Sequence, residues 1–170
     1  MRVLERLFVG VIVVATWATV TIAADPTAVD KFLADVVALA GKPIPALDAS
    51  GSPRADGSAT IRRQGPRDFI FSTKTVRGTG KASMGPAAYS FRPSEAGPSK
   101  GSFAVHKLVD DATISCGAML TTAADTRTLE LVCSRPDGSK SRERWSLSTQ
   151  ALEVTFTAAS GATTKYRVVR

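Results

Sequence analysis

From Asp68 onward the apolar residues recur at every second position, in short runs separated by turn sequences. Phe69 and Phe71 open one such run, and Ala88 to Arg92 and Phe103 to Val109 form two more. Ile114, Cys116, Ala118 and Leu120 then alternate with more polar neighbours, as do Leu129, Leu131 and Cys133, then Trp145 and Leu147. Leu152, Val154 and Phe156 follow, then Tyr166 and Val168. Asp110-Asp111, Ala124-Asp125, Pro136-Asp137-Gly138, Ser148 to Gln150 and Ser160-Gly161 supply turn chemistry between the runs. A period of two places one face of each strand in a core and the other in solvent. The expected fold is therefore mainly β: an antiparallel up-and-down meander of about six to nine strands, closing into a small barrel or a strongly curled sheet.

Register can be derived from the turns. With Ala124-Asp125 at the centre of a hairpin, Cys116 lies opposite Cys133 and Leu120 opposite Leu129. Both cysteines already fall on the apolar faces fixed by alternation, so a cross-strand Cys116–Cys133 disulfide is predicted, contributing about 3 kcal/mol by chain entropy. No Cys-x-x-Cys spacing favours a redox-active pair. A three-residue loop with Gly138 in the left-handed region pairs Leu129 with Trp145 and Leu131 with Glu143. Trp145 and Leu147 then face the core, while Lys140, Arg142 and Arg144 face outward.

The N-terminal quarter follows other rules. Arg2 and Arg6 precede an apolar run from Leu7, and Thr21-Ile22-Ala23 ends it with small residues at −3 and −1, the three parts of a secretory signal. Residues 1–23 are read as that signal, cut after Ala23; retention of Leu7 to Ala24 as an anchor is the competing possibility, at the lower length limit for a bilayer span. Residues 24–41 carry the next element. Asp25-Pro26 forms a helix start, Val29, Phe32, Leu33, Val36, Val37 and Ala40 share one helical face, and Gly41 and Pro43 stop it. This helix would plug an end of the β-domain or cover an edge. Residues 42–67, rich in Pro, Gly, Ser and Asp, read as a linker with one short strand at most, leaving 68–170 as the β-domain.

Composition narrows the function. With one His and two Cys in 170 residues, most zinc, haem and iron–sulfur sites built on several such ligands are excluded, and no metal or cofactor is called for. His106 falls on the outward parity of its strand, and no Gly-x-Ser-x-Gly elbow is present to make it part of a triad. Arg77 to Ser83 is glycine-rich and basic but lacks phosphate-loop spacing, with Ala82 at the magnesium-ligand position; it reads as a hairpin loop. Glu143 is the one carboxylate that register turns inward. It serves either as a polar anchor or base inside the barrel or, as the plainer expectation, as a residue near the sheet margin that reaches water. No second acid can be placed beside it, so paired-carboxylate catalysis is not expected.

Two non-enzymatic functions follow. The leading expectation is an exported binding module that holds a small apolar or amphipathic ligand against Glu143, Trp145, Phe156, Leu131 and the disulfide. The alternative is an envelope-associated or protein-interaction component, an inhibitor among the choices, that acts through a basic face of Lys140, Arg142, Arg144 and Arg167, with Lys165 beside them, toward an anionic envelope component. Lys and Arg total 22 against 15 Asp and Glu, a formal +7, which fits an anionic partner. Nucleic acid is disfavoured by export and by the lack of aromatics interleaved with the charges. The sequence leaves the oligomeric state open.

Overall fold

The fold was obtained as a computed structural model, which describes residues 26–75, 86–93, 103–109 and 112–170. The signal segment 1–23 and its cut after Ala23, Asp25, the Arg77–Ser83 loop and the Asp110-Asp111 turn lie outside these residues. Helix α1 spans Pro26–Val37. Ten strands follow: β1 Ile44–Leu47, β2 Pro53–Arg63, β3 Asp68–Thr75, β4 Ala87–Pro93, β5 Phe103–Val109, β6 Ala112–Ala123, β7 Thr126–Ser134, β8 Lys140–Leu147, β9 Ala151–Thr157 and β10 Thr163–Val169. Each pairs antiparallel with its sequence neighbour, and β1 also pairs with β10 through Ala46 and Tyr166, which closes the barrel. Closure removes the free edges that an open curled sheet would present.

The derived registers hold. Cys116 faces Cys133, Leu120 faces Leu129, Leu129 faces Trp145 and Leu131 faces Glu143. Gly138 sits at φ 80°, the left-handed conformation its hairpin requires. The two cysteines form a disulfide between β6 and β7, their Cα atoms 4.0 Å apart.

The region read as a linker, 42–67, instead carries β1 and β2, raising the strand number to ten. Its inward positions hold Ile44, Ala46, Ala59 and Ile61, all buried, so alternation is present but half of it is written in alanine. Gly57, which reads as a breaker, sits tightly against β1: a Cβ there would lie 3.1 Å from the Cβ of Ala46, which would have to give by a few tenths of an ångström. Pro53 takes the first position of β2, where a missing N–H is tolerated.

Helix α1 closes one end of the barrel. Val29, Phe32, Leu33 and Val36 point into the core, and Leu39 joins them from the turn that leads to Gly41 at φ 81°. The helix ends at Val37, short of the expected 41, because its last residues tighten into turns such as Ala40 N–H to Val37 C=O. Three ion pairs dock it. Asp30 receives two hydrogen bonds from Arg67 of the β2–β3 turn, and Asp35 receives Arg127 from the start of β7 and Arg170 from the C-terminus. Arg67 and the arginines hold both carboxyls below the ordinary Asp range, chiefly through those hydrogen bonds.

Candidate functional site

The barrel interior is an aromatic core with one charged cluster inside it. Trp145 makes edge contacts with Phe69, Phe71, Tyr89 and Phe156 at centroid distances of 5.4, 5.3, 5.6 and 6.2 Å. Phe69 stacks on Tyr89 at 5.0 Å. Leu131, Trp145 and Phe156 are thus where alternation placed them, facing inward and buried. What they meet is each other, at the spacings of a close-packed core.

Glu143 is 3% exposed, so it is not the margin residue expected from sequence. Its Oε1 accepts Lys107 Nζ at 2.5 Å; its Oε2 accepts Tyr89 Oη–H at 2.9 Å and the Trp145 indole N–H at 3.4 Å. The Lys107 ammonium also lies 5.3 Å from the Tyr89 ring centroid and 5.5 Å from that of Phe156, within cation–π range. Burial pushes the Tyr89 hydroxyl well above the usual tyrosine range, and the Glu143 charge adds to it. Three donors and an enclosing set of rings make this a charge-compensated polar lock between β4, β5 and β8. Lys107 and Tyr89 were missed in the sequence, yet the signal existed: Lys107 has the parity of Val105, and Tyr89 that of Ala87 and Phe91.

The outer faces of β7 to β10 carry the basic residues. Lys140, Arg142, Arg144, Lys165 and Arg167 are all exposed. Cross-strand pairing sets Arg142 beside Thr157, and sets Thr155 between Arg144 and Lys165. Arg144 pairs loosely with Glu130 at 3.8 Å and Arg167 with Glu153 at 3.4 Å. Lys140, Arg142 and Lys165 have no carboxylate partner among the described residues. A depression of about 230 Å³ opens on this face, lined by Arg142, Arg144, Thr155 and Thr157 together with Glu130, Val132 and the inward-facing Leu131 and Glu143. His106 is exposed, as its parity predicts.

Among the described residues no three His, Cys, Asp or Glu side chains come together as a metal site. None of their helices is long and apolar enough to cross a membrane. The disulfide is compatible with an oxidising, exported location. No family model, curated protein or solved structure matches the chain.

Proposed function

We propose that this is an exported, non-enzymatic binding protein that uses its barrel as a rigid frame and takes an anionic envelope component on the outer face of β8–β10. The observation that carries this reading is the charge excess there: five cations against Glu130 and Glu153, with Lys140, Arg142 and Lys165 free of carboxylates among the described residues. Guanidinium and ammonium groups repeat about 7 Å apart along a strand, with threonine hydroxyls interleaved at about 5 Å across strands. That array offers charge-assisted hydrogen bonds to phosphate or carboxylate groups. A small ligand against Trp145, Phe156 and the disulfide would require the rings to part, which weighs toward the surface. Glu143 is held in a buried cluster by three donors, the Lys107 ammonium among them, which supports a structural role for it and a non-enzymatic reading.

Binding to vesicles containing phosphatidylglycerol and to a soluble polyuronate tests this, with phosphatidylcholine vesicles and a neutral glucan as controls. Anionic targets are expected to bind in a salt-sensitive way. At about 1 kcal/mol per basic residue near an anionic surface, the K140Q/R142Q/K165Q variant should bind the vesicles roughly 100-fold more weakly. Equal binding by the variant, or equal binding to the neutral targets, would overturn the proposal.

A further inference from the structure

A second concavity lies between the outer side of α1 and the β2–β3 turn. It has a volume of about 840 Å³ and is open to solvent. Ala34, Val37, Ala38 and Ala40 form one wall, and Arg63, Pro66 and Arg67 the other, with Asp30 at one end. Ala34 and Ala38 are one helical turn apart, and their methyl groups leave a trough that longer side chains would fill. The volume falls within the ~300–1,000 Å³ range of small-molecule clefts.

Charge is distributed unevenly along the trough. At one end Asp30 and Arg67 neutralise each other through a two-point hydrogen-bonded pair of 2.6 and 2.8 Å. Arg63, on the other wall, donates only a 3.3 Å bond to the Gly65 carbonyl and meets no carboxylate among the described residues. Arg63 therefore leaves one uncompensated positive charge beside an apolar channel. We infer that this groove binds a single-chain amphipathic monoanion, its carboxylate on Arg63 and its alkyl chain along Ala34, Val37, Ala38 and Pro66. Burying the chain removes apolar surface from water, and the guanidinium fork supplies a directed contact for the head group. This site is independent of the β8–β10 face and uses none of its residues.

The test is calorimetric titration of the full chain with decanoate, decanol and decyltrimethylammonium, with amide shifts followed by NMR. Decanoate is expected to bind at least tenfold more tightly than the other two and to shift the amides of Ala34, Ala38 and Gly65. Arg63→Gln should weaken it at least tenfold, and Ala38→Trp, which fills the trough from an exposed position, should abolish it without lowering thermal stability. K140Q/R142Q/K165Q should leave decanoate binding unchanged, which separates this site from the anion-binding face. Equal binding of decanol, an absent response to Arg63→Gln, shifts confined to other residues, or no binding at all would each overturn the inference.

Discussion

Replacing Lys107 with Met removes the counter-ion of a carboxylate that is almost wholly buried. The Lys107–Glu143 pair is 2.5 Å long, and the two side chains are 8% and 2% exposed. Met matches the lysine stem in volume, so packing is largely kept and the change is electrostatic. Glu143 would retain Tyr89 and Trp145 as donors but carry an uncompensated charge among aromatic rings. Breaking a buried pair from one side destabilises by about 3–5 kcal/mol. At a urea m-value of about 2 kcal/mol/M, that lowers the unfolding midpoint by roughly 2 M. In the chain beginning at Ala24, Trp145 is the only tryptophan, so its fluorescence reads the core directly.

Lys107→Met combined with Glu143→Gln removes both charges and should recover most of the loss. A deficit under about 1 kcal/mol at pH 7, or a double variant no more stable than Lys107→Met alone, would refute the polar-lock reasoning.

Other perturbations probe the frame. Replacing Cys116 and Cys133 by Ala should lower stability by about 3 kcal/mol in denaturant titration. Because the arginine partners lower the Asp30 and Asp35 pKa values, their contribution is present above about pH 4 and is lost as pH falls through the folded-state values. Acid unfolding monitored by circular dichroism should therefore shift when Asp35→Asn is introduced, with a loss of about 1–3 kcal/mol at pH 7, since the buried Arg127 Nη1 already lacks a partner among the described residues. Tyr89 works in the other direction: its raised pKa means that stability is held below about pH 10 and falls above it, and Tyr89→Phe should remove that alkaline decline. Ala124 has φ 48° in a two-residue hairpin loop, so Ala124→Gly should gain up to about 1 kcal/mol in the same assay.

Most of the barrel was legible in the chain because its C-terminal strands are bounded by clear turns and alternate large apolar residues with polar ones. Two hairpins were enough to fix the disulfide and the inward position of Glu143. The first two strands were not legible, because Ala46 and Gly57 meet at close quarters, Ala59 stands opposite Ile44, and small residues give no hydrophobic signal. Lys107 was hidden for a different reason: a charged residue at an inward parity looks like an irregularity until its partner across the barrel is known. Arg127 is a similar case, since it shares the inward parity of Leu129 and finds Asp35 only once α1 caps the end. The basic face needed no tertiary information, as alternation alone sets Lys140, Arg142 and Arg144 on one side. Which of its cations lack acids depends on the cross-strand neighbours Glu130 and Glu153, and becomes readable once the register is complete.

The central claim is that the barrel interior is a closed, filled frame and that anions bind outside it. An amide and indole NMR titration of the labelled protein with a soluble polyuronate tests both halves together. Shifts should gather at Arg142, Thr155, Thr157 and Lys165 while the Trp145 indole N–H stays in place. Movement of the Trp145 indole with the outer face unchanged would contradict the claim and return the binding site to the interior.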